Sequence, residues 1–137
     1  MSPEIQAFTN AILIALAHGG ITLALLAAGA ALYAFLTPHK EITQIRDGNA
    51  AAALSFGGVI VALALPLALS LTASASALEI ALWGTMTVVV QLLVFRVIDM
   101  LFAGLPQRVA DGEVSAAALL VSAKLASAMV LAAAVAG

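Results

Sequence analysis

The chain has 137 residues, 64% hydrophobic and 9% charged, with a net charge of -2 and no cysteine. A soluble fold of this size leaves a large share of its residues on the outside, and this composition has too few polar residues to cover that surface. The missing cysteines exclude disulfides, thiolate metal sites and thiol catalysis, and with no basic patch to neutralise phosphates a nucleic-acid surface is excluded too.

In chain order, residues 1–6 contain Glu4 and no Lys or Arg. A cleaved signal peptide opens on a basic segment, so the first apolar run, residues 11–36, reads as a permanent span. Three more runs follow at residues 50–73, 80–104 and 114–136. Each reaches the roughly 20 residues that cross a hydrocarbon core of about 30 Å, and none alternates polar and apolar residues as a barrel strand must. An all-α integral membrane protein with four transmembrane helices is predicted. It forms a single membrane domain over residues 1–137, with the lipid bilayer as its solvent.

His18 lies in the first span, followed by Gly19 and Gly20. One histidine makes a poor metal site, because His39 falls beyond the other end of the span; no metal or other cofactor is expected. The readings for His18 are a helix–helix hydrogen bond or a proton relay, and Asn10 and Gln91 read as hydrogen-bonding residues of the same kind. Pro66, late in the second span, removes a backbone donor near Ala62 and predicts a kink. Glu79 suits the positive start of the third helix. Small residues that allow close helix approach form stripes at Gly20, Ala24, Ala27 and Ala31, at Ala51, Ser55, Gly58 and Ala62, and at Ser115, Ala118, Ser122 and Ala126. These are more seams than one bundle needs, and a homo-oligomer is expected.

The loop at residues 37–48 carries Lys40 and Arg46, the loop at residues 105–112 carries Arg108, and the middle loop and both termini carry no base. The positive-inside rule then places both loops in the cytoplasm and both termini outside. The loops also match each other. Residues 46–54 align with residues 110–118, each with a proline upstream and an Asp-Gly opening an alanine-rich helix, through Gly48-Asn49 in one and Gly112-Glu113 in the other. This predicts two tandem hairpin repeats of the same orientation, about residues 8–73 and 78–137.

Ionisable residues at membrane depth are the candidates for function, since each is costly unless paired or wetted. Arg96 and Asp99 stand at i and i+3 on one face of the third helix, Asp99 within about two turns of the loop and Arg96 slightly deeper. Lys124 lies near the middle of the fourth helix with no acid in its own span, where the repeat places Ile60. Arg96, Asp99 and Lys124 are expected to face one another inside the bundle as a cluster with one excess positive charge. Burying that excess is unfavourable. Either Lys124 gives up its proton, or water reaches it, or a partner subunit or an anion completes the pairing. No Gly-x-Ser-x-Gly, His-Glu-x-x-His or phosphate loop occurs, and Ser55 and His18 are placed toward opposite membrane faces. The chain is not expected to be an enzyme and no catalytic residue is assigned.

The run Gly48-Asn49-Ala50-Ala51-Ala52-Ala53-Leu54-Ser55, followed by Gly57-Gly58 and Pro66, resembles the bacterial membrane family called domain of unknown function 350. Residues Gln91-Leu92-Leu93-Val94-Phe95-Arg96-Val97-Ile98-Asp99, then Pro106, are similar to that family's third-helix signature. Glu113 stands where the family more often has asparagine. The resemblance implies four spans, two repeated halves and an inner-membrane location, and members are often encoded beside polyamine-related ATP-dependent ligases or membrane-stress proteins. It implies no reaction. Two functions fit these residues. One is an oligomeric ion or proton channel or transport component lined by the charged cluster, whose net positive interior favours anions or protons over metal cations. The other is a structural or signalling subunit that meets a membrane-stress protein through residues 40–48 and 107–113.

Overall fold

The computed structural model describes residues 1–137 and is all-helical. Four long helices, α1 (Pro3–Leu36), α3 (Ala50–Ala73), α4 (Ala77–Leu101) and α6 (Val114–Ala136), are long and apolar enough to cross a membrane. Two short helices, α2 (Glu41–Arg46) and α5 (Leu105–Ala110), occupy the stretches that read as loops in the sequence. Local chemistry explains most of the boundaries. Ser2 caps α1 by accepting from the Ile5 amide, with Pro3 in the first turn. Ser76 caps α4 while Glu79 Oε2 reaches back to the Ala75 amide at 2.8 Å, a reciprocal arrangement that satisfies two orphan donors. The third span stops at Leu101 rather than Gly104, because Gly104 takes a positive φ of 93° and Leu105-Pro106 starts α5.

The bundle runs down, up, down, up. The most extensive contact joins α3 to α6, which lie parallel: Ala51 clusters with Ala116 and Ala117, and Val59 and Ala62 cluster with Ala128. Gly58 lets them approach, since a Cβ there would sit 2.5 Å from a Val121 methyl. The stripe Ala51, Ser55, Gly58, Ala62 is therefore a packing seam, as its spacing suggested. The other two stripes face outward. Gly20, Ala24, Ala27 and Ala31 are exposed, and α1 turns Gly29 and Tyr33 inward instead; Ser115, Ala118, Ser122 and Ala126 are exposed too, while Ala117, Val121, Lys124 and Ala128 form the inner face of α6. Small residues are cheap to leave against lipid, so their spacing alone does not say which face packs. Helix α1 also outruns its neighbours: Leu25 meets Gly84 and Gly29 meets Val88, and residues 3–17 are exposed throughout.

Both short helices end in the same way. The amides of Asp47, Gly48 and Asn49 bond back to Thr43, Ile45 and Gln44, and those of Asp111, Gly112 and Glu113 bond back to Gln107, Val109 and Arg108. Gly48 and Gly112 supply the positive φ of 89° and 91° that this turn requires. The residues that follow diverge. Asn49 caps α3 through Oδ1 to the Ala52 amide at 3.1 Å, and its Nδ2 donates to the carbonyls of Val109 and Ala110 at 3.1 and 3.0 Å. Glu113 caps nothing and pairs with Arg108 instead. Pro66 is buried within α3, which continues through it to Ala73.

The two glycines of α3 give a paired test. Gly58→Ala drives a methyl into the stiff Val121 side chain and should cost about 1–3 kcal/mol, with Val121→Ala in the same chain restoring most of the loss. Gly57→Ala meets nothing within 4 Å and should be neutral or slightly stabilising, because alanine is the better helix former. Unfolding in mixed detergent micelles measures all three.

Candidate functional site

The α2/α5 end of the bundle holds the one site at which five elements meet. Lys124 is placed by α6 with 1% of its side chain exposed. It stands ten residues into the helix, about 15 Å from its start, among Tyr33, Val59, Phe95 and Leu120, and such a charge survives only with partners. Its Nζ lies 3.0 Å from Asp99 Oδ1 of α4, close enough for an ion pair but without hydrogen-bond alignment. The same Nζ donates to the Tyr33 hydroxyl of α1 at 3.1 Å, and it sits 5.1 Å and 5.6 Å from the centres of the Tyr33 and Phe95 rings, within cation–π range. Tyr33 in turn donates to Glu41 Oε1 of α2 at 3.2 Å, and Ser55 of α3 reaches the same oxygen at 3.5 Å.

Lys124 and Asp99 form the ion pair of this site. Arg96, one turn from Asp99 on the same face of α4, is exposed and forms no ion pair; it borders both the space beside Asp99 and Lys124 and the gap between α1 and α4. The second charge at the centre is Glu41, only 7% exposed. The buried group therefore holds two carboxylates around one ammonium, and with the exposed Arg96 guanidinium bordering the same space the formal charges balance rather than leaving one positive charge over. Tyr33 and Glu41 were both missed. The signals were there: Tyr33 is the chain's one tyrosine, in an apolar span where a hydroxyl needs a partner, and Glu41 follows it by eight residues across the Pro38 turn.

A cavity of about 210 Å³ opens beside this group, lined among others by Glu41, Gln44, Arg96, Asp99 and Lys124. Two buried acceptors of its lining, Glu41 Oε2 and Gln44 Oε1, have no protein partner. A polar space of this size takes several waters or a small donor-bearing ligand. Burial raises the proton affinity of Glu41 above the usual carboxylate range, while Lys124 and the Tyr33 hydrogen bond oppose that rise. Arg108, fully solvent-exposed, is held protonated more firmly by its hydrogen bond to Glu113, whose own carboxyl is held below the usual range by the same contact. Farther from the α2/α5 end, Gln91 Nε2 donates to Ser127 Oγ at 3.1 Å, and Ser127 donates to the Lys124 carbonyl; this is the helix–helix bond read for Gln91. His18 has no such bond. It is half-exposed, only its carbonyl is engaged, by Thr22, and it lies 15 residues from Tyr33, about 22 Å along α1. Asn10 is exposed.

A small multi-pass helical bundle with an ion-paired polar centre buried near one end is the class that fold and site define. A family model described as Domain of Unknown Function (DUF350) matches residues 7–135, and the chain belongs to that family. The UPF0719 inner membrane protein YjfL of Escherichia coli (strain K12) is 27% identical over 95 residues, covering 69% of this chain and 72% of that protein. The protein of the same name from Escherichia coli O157:H7 matches to the same extent. No solved structure matches.

Two predictions test the site. Lys124→Met leaves Asp99 facing a buried gap and should cost about 3–5 kcal/mol, with Asp99→Leu in the same chain recovering much of it; Arg96→Gln should change stability by less than about 0.5 kcal/mol. A double-mutant cycle of unfolding free energies reads both. The second concerns pH. The folded state binds the Glu41 proton more tightly than the unfolded state does, so stability is lost as pH rises from the ordinary 4.5 through the raised value. Glu41→Gln should therefore stabilise the protein at neutral pH and have less effect near pH 4, seen as a flatter melting temperature against pH. A gain of equal size at both pH values would mean that Glu41 ionisation is not what costs stability.

Proposed function

We propose that this chain is a transport component of the bacterial inner membrane that passes protons or a small cation through the Glu41–Tyr33–Lys124–Asp99 site. One observation carries the reading: Glu41, a buried carboxylate with one oxygen open to a cavity, is linked through a single hydroxyl to a buried ammonium. Such a chain can take up a proton or a donor-bearing cation at Glu41 and redistribute charge toward Asp99. The acceptors open to the cavity, Glu41 Oε2 and Gln44 Oε1, suit a proton or a donor-bearing cation.

The remaining parts of the reading have their own support. The tandem repeat, residues 8–73 and 78–137, rests on the order long helix, short helix, long helix in each half and on matching turn bonds at Gly48 and Gly112. The inner-membrane location rests on the name of the E. coli relative. Lys40, Arg46 and Arg108 all belong to the α2/α5 end, which the positive-inside rule assigns to the cytoplasm, leaving both termini in the periplasm. The cavity occupies only that end of the bundle, and the outward-facing small-residue stripes on α1 and α6 suit contact with further copies, so the working unit is taken as a homo-oligomer. The alternative, a subunit that recruits a membrane-stress protein through residues 40–48 and 107–113, has less to offer a partner, because Glu41 and Val109 of those segments are buried.

Proteoliposomes with a trapped pH dye, run in parallel with sodium and chloride indicators, provide the test. Wild-type protein should dissipate a proton or cation gradient and leave chloride in place, with Glu41→Gln and Lys124→Met each lowering the rate about tenfold or more. Correctly folded wild-type protein that adds nothing to the leak of empty vesicles would sink the transport reading.

A further inference from the structure

Above the level of Gly29 and Val88 the α1–α4 seam is closed, since Leu25 packs on Gly84 and Val88 packs on Gly29. Toward the α2/α5 end the two helices leave a groove of about 380 Å³, a size typical of small-ligand sites. Its walls are apolar: Leu32 and Leu36 from α1, Val89, Leu92 and Leu93 from α4. Arg96 sits at the polar end of this groove and is shared with the buried cavity.

The charges around Arg96 leave it free. Asp99, the other charged residue of the groove, is committed to Lys124 at 3.0 Å. Glu41 and His39 line the cavity and not the groove; Glu41 Oε1 is held by Tyr33 and Ser55 and its Oε2 has no partner, and neither acid forms an ion pair with Arg96. Arg96 is thus an exposed guanidinium with no carboxylate partner in the chain, on a membrane-spanning helix, five residues before that helix ends. That places it about 7 Å along the axis from the helix end, close enough for a long side chain to extend toward headgroups. A guanidinium has five fixed donors that match a phosphate in pairs, and directly beside it the groove offers an apolar channel that opens sideways to lipid.

We infer that the α1–α4 groove is a binding site for one phospholipid with an anionic headgroup, its phosphate on Arg96 and one acyl chain along Leu32, Leu36, Val89 and Leu93. The ligand meets both requirements of the site, an anion for the unpaired cation and hydrocarbon for the walls, and it does so independently of any transport through the buried centre. Its charge balances the positive charge that Arg96 adds next to the Lys124–Asp99 pair.

Native mass spectrometry of the detergent-purified chain, offered equal phosphatidylglycerol and phosphatidylcholine, tests the inference. Wild-type protein should retain one phosphatidylglycerol with a preference of about tenfold or more, the size expected of a charge-assisted contact. Arg96→Gln should bring the preference close to one, and Arg96→Lys, which keeps the charge but not the paired donors, should keep only part of it. Val89→Trp, which fills the groove from its exposed wall, should lower the occupancy of both lipids. A preference that survives Arg96→Gln, or an occupancy that Val89→Trp does not change, would overturn the site. Loss of the preference in excess inorganic phosphate would assign Arg96 to a free anion and overturn the lipid. Arg96 has no protein partner to lose, and unchanged helical content by circular dichroism shows that each variant is folded.

Discussion

An ammonium buried at the middle of a helix in lipid sets the terms for the rest of this molecule. Neither hydrocarbon nor apolar side chains can solvate Lys124, so every neighbouring element must bring something to it. Helix α4 brings Asp99, α1 brings the Tyr33 hydroxyl and ring, and α2 folds back under the bundle to bring Glu41, which Ser55 of α3 also touches. The short helix α2 makes sense in this light. Its first residue, Glu41, is the one it buries. At the same end, Asn49 ties the start of α3 to the last carbonyls of α5, which steadies the frame around the charged centre.

The spans, their order and the two glycine turns could be read from the sequence because each depends on local properties: run length, the position of proline, and an Asp-Gly that only one backbone conformation satisfies. Lys124 with Asp99 was legible as well, since a lone base and a lone acid in neighbouring spans have few other partners. What the sequence hid was rotational. An alanine-rich helix has little amphipathic signal, so nothing in it showed that Gly29 and Tyr33 of α1 turn inward while Gly20 and Ala24 turn out. Arg96, one turn from Asp99, shares its face of α4 but is exposed where the cavity meets the α1–α4 groove. Glu41 was hidden by a different assumption, that a charged residue between spans belongs to water.

The ends of α2 and α5 use one backbone turn for different purposes. Gly48 and Gly112 make the same turn, yet Asn49 binds across to α5 while Glu113 turns aside to Arg108. Ile60 stands in α3 where Lys124 stands in α6. The polar centre is thus built once per chain, from residues of five helices.

The hydrogen bonds of the centre also have a direction. The Tyr33 hydroxyl spends its only proton on Glu41 and receives one from Lys124, so the chain points from ammonium to carboxylate. A proton shifted along it would reverse that hydroxyl and leave two neutral groups in place of two charged ones. The ends of this path are separated by at most about 6 Å, roughly a fifth of a hydrocarbon core of about 30 Å. A membrane voltage of about 100 mV would therefore bias the two arrangements by no more than about 0.5 kcal/mol. The centre is an electric dipole whose sense a single proton shift would invert.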